Sequence, residues 1–237
     1  MTSGPKTAMV LAAGLGTRMR PLTHDRPKAL VEVGGKPLID HVLDRLAEAG
    51  VETCVVNVHH FADMMEAHLA DRKHPKIIIA DERDQLLDSG GGIRNALPGL
   101  GPDPILVANI DSLWTGGTVA PLDLLKARWN PEIMDMLLLL VPRGQGIGFE
   151  GPRGFYMDDT GRLTHSADDE NPAPYANIGF QIMKPEVLTA EPEGAFSIVP
   201  VWWKLQAQGR LFGVVMDAFW MHVGDPAGQA AANEILS

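Results

Sequence analysis

The feature that most constrains this chain is an apolar run that ends in a basic loop containing two glycines. Residues 8–13 are continuously apolar and predict a buried first strand. Gly14 and Gly16 follow this run, and glycine lets the backbone approach a ligand closely. Consecutive amides in such a loop form a concave site for an anion, and Arg18 and Lys28 add positive charge. We therefore predict a triphosphate-binding loop at the carboxyl end of the first strand.

Two common phosphate-binding motifs are excluded by the residues present. The dinucleotide fingerprint requires a third glycine where Met19 stands. The Walker A motif requires Ser or Thr after Gly-Lys, but Pro37 follows Lys36. A solvated surface turn is the alternative for two glycines alone, and the spacing of a larger set of residues argues against it. That set is Gly14, Gly16, Thr17, Arg18, Pro21, Thr23, Pro27 and Lys28.

The remaining apolar periodicity predicts alternating strands and helices. Predicted strands cover residues 29–33, 54–58, 76–80, 104–108, 134–140, 175–183 and 211–216. Predicted helices cover residues 38–49, 62–70, 90–97 and 121–129. A hairpin is predicted from residues 155–157 and 162–164. This order implies a single α/β domain over residues 1–237, arranged in three layers, α/β/α. Its central sheet is expected to be mixed but mainly parallel and Rossmann-like, with a small substrate-side lobe.

Charge and cysteine content exclude several classes of protein. The net charge of −10 argues against a nucleic-acid partner, because such binding needs cations facing phosphates. Cys54 is the single cysteine, so no disulfide forms within the chain, which suits a reducing cytoplasm. The longest apolar run, residues 136–141, has the length of a strand, and no membrane association is expected.

Asp111 is the first candidate metal ligand. It follows the predicted strand 104–108, and open α/β sheets bind ligands beyond the carboxyl ends of their strands. Magnesium is commonly held by one or two carboxylates together with substrate phosphates. The alternative for Asp111 is a turn or helix-capping residue.

These motifs resemble those of the sugar-1-phosphate nucleotidyltransferase family. Residues 11–23 match its opening, Leu-Ala-Ala-Gly-x-Gly-Thr-Arg-x-x-Pro-Leu-Thr, and a Pro-Lys pair follows at 27–28. Residues 87–93 are similar to the Leu-Glu-Thr-Gly-Gly-Gly-Ile of its N-acetylmuramate 1-phosphate uridylyltransferase branch. The resemblance implies the nucleotide-diphospho-sugar transferase fold, with a nucleotide-binding part over 1–142 and a sugar-binding part with a closing helix over 143–237.

The implied reaction joins a nucleoside triphosphate to a sugar 1-phosphate and releases pyrophosphate. UTP and N-acetylmuramate 1-phosphate are the favoured substrates, Mg²⁺ is the expected cofactor with Mn²⁺ as an alternative, and the enzyme is expected as a monomer or homodimer. One alternative is GTP or another triphosphate with mannose, heptose or glucose 1-phosphate. Another is a nucleotide-sugar sensor without catalysis.

The resemblance also assigns residues to roles. Arg18 is expected to hold the leaving phosphates, Lys28 to neutralise charge at the α-phosphate, and Asp111 to hold the metal. Expected nucleotide contacts are Leu11, Ala12, Ala13, Gly14, Gly16, Thr17, Arg18, Lys28, Gly90, Gly91 and Asn109. Expected sugar contacts are Asn177 and Gly179, although a polar residue at a strand edge explains Asn177 equally well.

The second metal position departs from the family pattern. The family form is Trp-x-Asp-Val-Gly-Thr-Pro, and here His222 occupies the place of the aspartate while Asp225 replaces the threonine. Three arrangements stay open: His222 ligates the metal, His222 binds phosphate, or Asp225 supplies the carboxylate. Imidazole suits softer ions than magnesium, such as Mn²⁺ or Zn²⁺.

Overall fold

The computed structural model describes residues 4–150, 153–166, 168 and 170–236. Its strands are β1 (Thr7–Leu11), β2 (Glu32–Val33), β3 (Lys36–Pro37), β4 (Thr53–Val58), β5 (Lys76–Asp81), β6 (Ile105–Asn109), β7 (Ser112–Thr115), β8 (Met136–Pro142), β9 (Gly146–Ile147), β10 (Gly154–Met157), β11 (Leu163–Ser166), β12 (Tyr175–Met183), β13 (Leu211–Val215) and β14 (Phe219–His222). Its helices are α1 (Leu38–Glu48), α2 (Ala62–Leu69), α3 (Asp88–Leu100), α4 (Pro121–Arg128), α5 (Val199–Ala207) and α6 (Pro226–Leu236).

Nine strands of the described chain form one mixed sheet. Seven of them run in the order β11-β10-β12-β6-β1-β4-β5, while β8 pairs with β12 and carries β13 on its other edge. The half built from β6, β1, β4 and β5 is parallel. Strand β12 is antiparallel to both β6 and β8. The predicted mainly parallel, mixed central sheet is confirmed.

Both faces of this sheet are covered by helices, because successive side chains of a strand point to opposite faces. Ala8 and Val10 belong to a buried cluster that includes the apolar faces of α1, α2 and α4. Met9, between them, belongs to a second cluster with α3 and α5. The three-layer arrangement follows directly from this alternation. No helix in the described part of the chain is long and apolar enough to cross a membrane.

Two predicted elements differ in the structure. The strand predicted over 29–33 begins instead as a helical turn, because the amides of Leu30 and Val31 bond back to the carbonyls of Pro27 and Lys28 at 3.0 Å. Only Glu32–Val33 remains a strand. Helix α3 begins at Asp88, so the three glycines predicted to open it lie inside its first turns.

The predicted hairpin forms as β10 and β11, with Met157 paired to Leu163. It does not form a sheet of its own, since β10 pairs with β12 and extends the central sheet. The substrate-side lobe is therefore an extension of the main sheet. A smaller sheet, β7-β14-β9, lies beyond the carboxyl end of β6.

Strand β12 changes its neighbour along one edge. Because β8 pairs with both halves of β12, β6 and β10 must share the opposite edge. Strand β6 pairs from Phe180 onward and β10 pairs at Tyr175. Tyr175 and Phe180 are five residues apart, which corresponds to roughly 17 Å along a strand. In the described chain this interval, residues 176–179, has no strand partner on that edge, so a gap opens there.

Candidate active site

The loop after β1 is held in a compact turn. Gly16 has a φ of 62°, in the left-handed region that favours glycine. Its carbonyl oxygen accepts hydrogen bonds from the Thr23 hydroxyl at 2.8 Å and the Met19 amide at 2.9 Å. A side chain at Gly16 would press on the Lys28 and Thr23 side chains. These contacts bring the loop and Lys28 together.

The loop forms one wall of a cleft of about 390 Å³, called here the first cleft. Most of the expected nucleotide contacts line it, together with the expected metal ligand Asp111: Leu11, Gly14, Gly16, Thr17, Arg18, Lys28 and Asn109. Leu86 and Gly224 line it as well. The sequence motif therefore folds into a concave site that combines backbone, two cations and one carboxylate.

A buried polar pair anchors the start of the loop. The Asn57 side-chain oxygen accepts the Ala12 amide at 2.7 Å and the Ala13 amide at 3.3 Å. The Asn57 side-chain nitrogen donates to the Glu82 carboxylate at 2.7 Å, and that carboxylate also accepts the Leu87 amide at 3.1 Å. Asn57 and Glu82 are each 3% exposed. Burial raises the pKa of Glu82 despite these hydrogen bonds.

Lys28 and Asp111 form an ion pair on the floor of the first cleft. The Lys28 Nζ lies 2.7 Å from the Asp111 Oδ2, and the side chains are 11% and 18% exposed. Burial is the largest single influence on the pKa of Asp111 and acts to raise it, but the charge and hydrogen bond of Lys28, with smaller contributions from neighbouring groups, together hold that pKa below the usual value. Asp111 is therefore a carboxylate at neutral pH.

His222 lies beside this pair because β14 is fastened to the segment that carries Asp111. In the β7–β14 register His222 is opposite Ser112, and the Val223 amide donates to the Asp111 carbonyl at 2.8 Å. The His222 ring packs against the Phe149 ring, with 6.3 Å between centroids. Burial, with the positive charge of Lys28, lowers the pKa of His222, so the ring is a neutral imidazole at neutral pH.

Asp225 points toward the start of α6. Its Oδ1 accepts the Gly228 amide at 2.8 Å, as a residue that caps a helix does. The described residues contain no group of three His, Cys, Asp or Glu side chains placed to hold a metal ion. A cation at Asp111 would therefore depend on substrate oxygens and water for most of its ligands.

A second cleft, of about 660 Å³, lies over the gap beside β12. Asn177 and Gly179, the expected sugar contacts, line it together with His222. Gly179 has a φ of 84°, and a side chain there would overlap the Asn109 side chain. Asn177 accepts the Gly179 amide at 3.0 Å, which holds the strand irregularity. The two clefts share three lining residues: Arg18, Asn109 and Asp111.

Comparison with known proteins decides the family. A profile of the MobA-like NTP transferase domain matches residues 8–126, just over half of the chain. The chain is also 51% identical, over its full length and 99% of the relative, to an N-acetylmuramate alpha-1-phosphate uridylyltransferase from Caulobacter vibrioides. This chain belongs to the sugar-1-phosphate nucleotidyltransferases of the MobA-like NTP transferase family. The resemblance inferred from the motifs is confirmed.

Two further similarities agree with this assignment. An N-acetylmuramate alpha-1-phosphate uridylyltransferase from Neisseria meningitidis serogroup B is 33% identical over 92% of both chains. The inositol-1-phosphate CTP transferase from T. maritima superposes with a TM-score of 0.80 at 20% identity, covering 100% of this chain and 96% of that one. The structural likeness shows that the nucleotidyltransferase has the fold expected from its sequence.

Gly90 and Gly91, which were expected as nucleotide contacts, make packing contacts that the motif did not predict. Their amides donate to the Phe196 carbonyl at 2.9 and 3.0 Å, and side chains at these positions would overlap Phe196 and Gly194. Neither glycine lines the first cleft. Helix α3 needs these glycines in order to pack against the 194–196 segment, and Leu86 lines the cleft instead.

The amides of Ala12 and Ala13 also differ from expectation, since Asn57 accepts both. In the nucleotidyltransferase, the loop backbone that faces the first cleft therefore begins at Gly14. Sequence reasoning missed a large part of the second cleft's lining, including Phe149, Arg153, Phe155 and His165. No motif marks them, because the hairpin and the segment between β9 and β10 bring them together only in the folded chain.

Proposed function

We propose that this nucleotidyltransferase transfers a uridylyl group from UTP to N-acetylmuramate 1-phosphate, producing UDP-N-acetylmuramate and pyrophosphate. The observation that carries the proposal is that Arg18, Asn109 and Asp111 line both clefts. A triphosphate in the first cleft and a sugar phosphate in the second would meet at these three residues. The choice of substrates is supported by the 51% identical relative, whose name specifies that sugar and uridylyl transfer.

The proposed reaction is a single in-line displacement. An oxygen of the sugar phosphate attacks the α-phosphorus of UTP, the bond from that phosphorus to the bridging oxygen breaks, and pyrophosphate leaves. Reactions of this type depend mainly on positioning and on charge stabilisation. No general base is required, because a phosphate monoester is already anionic near neutral pH. Lys28 stabilises charge at the α-phosphate, and Arg18 holds the departing phosphates.

The residues at the junction of the clefts fit a divalent cation. Asp111 is ionised and partly exposed there, and Mg²⁺ commonly takes one or two carboxylates with phosphates and water. Such an ion would neutralise phosphate charge between the two substrates. We propose Mg²⁺ as the ion because of the Asp111 carboxylate and the substrate phosphates. We propose Mn²⁺ as a competent replacement because the neutral imidazole of His222 suits it better than Mg²⁺. Because the proposed substrates are nucleotide and sugar phosphates, we place the reaction in the cytoplasm.

A pyrophosphate-release assay tests this proposal. The four ribonucleoside triphosphates are each combined with N-acetylmuramate, N-acetylglucosamine, glucose and mannose 1-phosphates, with Mg²⁺ and with Mn²⁺. We expect the highest kcat/KM for UTP with N-acetylmuramate 1-phosphate. A preference for GTP with mannose 1-phosphate would establish a guanylyltransferase instead. Saturable binding of a nucleotide sugar without pyrophosphate release under either ion would establish a sensor.

A further inference from the structure

The side of the second cleft formed by β10, β11 and α5 carries its own positive charge. Arg153 lines the cleft immediately before β10, and His165 lines it from β11. Among the described residues that line this cleft, Asp111 is the carboxylate, and it lies at the junction with the first cleft. The hairpin side of the cleft is therefore electropositive and has no acidic lining residue in the described chain.

The main chain at Arg153 is held in place from outside the cleft. Its carbonyl oxygen accepts a hydrogen bond from the Arg143 Nη2 at 2.9 Å, and the Arg143 Nε donates to the Ala173 carbonyl at 2.8 Å. The Arg143 guanidinium also lies over the Phe149 ring, 5.5 Å from its centroid. Because Phe149 lines the cleft, these contacts set the base of Arg153 relative to the cleft wall.

His165 lies on the same side of the cleft as Arg153 and is an uncharged hydrogen-bonding group. Its ring makes an edge contact with Phe155 at 5.5 Å and lies 6.1 Å from the ring of Trp203. Burial and the nearby charge of Arg153 lower the pKa of His165, so the imidazole is uncharged at neutral pH. The positive charge on this side thus belongs to Arg153, while His165 offers a ring N–H as a hydrogen-bond donor.

The sheet places this group across the cleft from the reacting centre. Strands β6 and β10 share one edge of β12, and the gap at residues 176–179 separates them. Asp111 follows β6, whereas Arg153 precedes β10. A sugar phosphate whose phosphate lies at Asp111 would extend its ring over this gap, on whose other side Arg153 lies.

We propose that Arg153, with His165 beside it, binds a carboxylate carried by the sugar ring and thereby selects sugar 1-phosphates with an acidic substituent. The inference rests on the proposed function, because N-acetylmuramate is N-acetylglucosamine with a lactyl ether that ends in a carboxylate. Arg binds carboxylates through paired, charge-assisted hydrogen bonds. The chemistry of this side of the cleft complements that one substituent.

The matched pair of substrates provides the test. Initial rates with UTP are measured for N-acetylmuramate 1-phosphate and N-acetylglucosamine 1-phosphate, using the wild type and Arg153→Gln. We expect the substitution to raise the KM for the muramate substrate by about 10- to 100-fold, the range for losing a charge-assisted contact. The KM for the glucosamine substrate should stay within about twofold, and Arg153→Lys should recover part of the difference.

Lys73→Gln provides the control for a change in charge. Lys73 is exposed and precedes the amino end of β5, whereas Asp111 follows the carboxyl end of β6, so the two residues lie at opposite ends of the parallel strands. It should behave as wild type with both substrates. If the wild type uses the muramate substrate but Arg153→Gln keeps the same preference, or raises both KM values equally, the assignment of Arg153 is overturned while the proposed function stands. If the wild type does not use the muramate substrate with UTP, the proposed function fails and this inference fails with it.

Discussion

The ammonium nitrogen of Lys28 lies 2.7 Å from a carboxylate oxygen of Asp111, although 83 residues separate them in sequence. The contact joins the turn after the first loop to the residue that follows β6. Both side chains are mostly buried, so each sets the position and the charge state of the other. Two groups assigned to phosphate and to metal are thus already in place where the clefts meet.

Replacing Lys28 should impair the chemical step more than substrate binding. We expect Lys28→Ala to lower kcat by about 10²- to 10³-fold, because it removes charge stabilisation at the reacting phosphate. Steady-state kinetics with both substrates varied will measure this effect. Lys36→Ala is a suitable control, since Lys36 pairs with Asp44 on α1, outside both clefts. Turnover within twofold of wild type in a folded Lys28→Ala enzyme would contradict the assigned role.

His222, at the proposed second metal position, should affect the preference for one divalent ion over another. His222 is a neutral, partly buried imidazole beside Asp111, and imidazole favours softer ions than a carboxylate does. His222→Asp should therefore raise the ratio of Mg²⁺-supported to Mn²⁺-supported kcat/KM, by about tenfold if His222 contacts the ion. Metal titrations of both proteins will measure the ratio. An unchanged ratio, with activity retained, would show that His222 only packs against Phe149 and Trp220.

The Asn57–Glu82 pair should act on the nucleotide through the loop. Asn57→Ala frees two loop amides and leaves Glu82 without one of its donors. Loss of such hydrogen bonds should raise the KM for UTP by about tenfold while the KM for the sugar phosphate changes little. Glu82→Gln, which keeps an acceptor for the Leu87 amide, provides the conservative comparison. Equal increases in both KM values would indicate general structural damage instead.

Substitution by alanine should affect UTP binding at Gly14, in the loop after β1, and the stability of the fold at Gly91, in helix α3. A side chain at Gly14 meets no atom within 4 Å, and Gly14 lines the first cleft. Gly14→Ala should therefore keep its stability and lose affinity for UTP. Gly91→Ala would overlap the Gly194 carbonyl and should destabilise the fold by about 1–3 kcal/mol, as overpacking does. Denaturant unfolding and UTP titration of both variants will distinguish the two effects. A stable Gly91→Ala that fails to bind UTP would restore Gly91 to the nucleotide site.

The ion pairs of Asp135 with Arg210 and Lys184 should make the free energy of unfolding depend on pH. Asp135 accepts hydrogen bonds from the Arg210 guanidinium at 2.8 and 3.0 Å and pairs with Lys184 at 2.9 Å. The Arg210 hydrogen bonds, more than the opposing burial, lower the pKa of Asp135. Because the pKa is lower in the folded protein, this stabilisation is present above the unfolded value of about 3.9 and is lost as pH falls through the folded value.

Asp135→Asn should therefore be less stable than wild type by about 1–2 kcal/mol at pH 7. The difference should shrink below about pH 4, because there the Asp135 carboxyl of the unfolded wild type takes up a proton while the folded one does so only at lower pH. Urea unfolding across this pH range will measure it. Asp25→Asn, which removes an exposed pair with Arg26, should leave stability unchanged. A difference that stays constant down to pH 2 would contradict the ionic origin of the effect.

Local patterns in the sequence were sufficient for most elements and for the first cleft. The apolar run before Gly14 and the later alternation predicted the parallel half, because period and length distinguish strands from helices. Lys28 and Asp111 were predicted from motifs whose residue types follow from phosphate and metal chemistry. The packing of Gly90 and Gly91 against the 194–196 segment was not predicted, since the same pattern serves a ligand contact or close packing against a distant loop.

Other parts of the site had no local pattern to reveal them. The Asn57–Glu82 contact joins residues 25 apart, and each residue alone is an ordinary polar side chain near the end of a strand. The second cleft depends on β12 taking β10 and β6 as successive neighbours, which is a property of strand pairing. Arg153 and His165 consequently reach the cleft through topology alone.

That exchange of neighbours along β12 means that the proposed sugar-binding residues and the proposed phosphate-binding residues belong to separate strands. Residues 153–166 can therefore diverge among homologues, or be swapped in a chimera, without displacing the loop, Lys28 or Asp111. When sugar specificity changes among homologues, we expect substitutions in the hairpin first, while the loop, Lys28 and Asp111 stay the same.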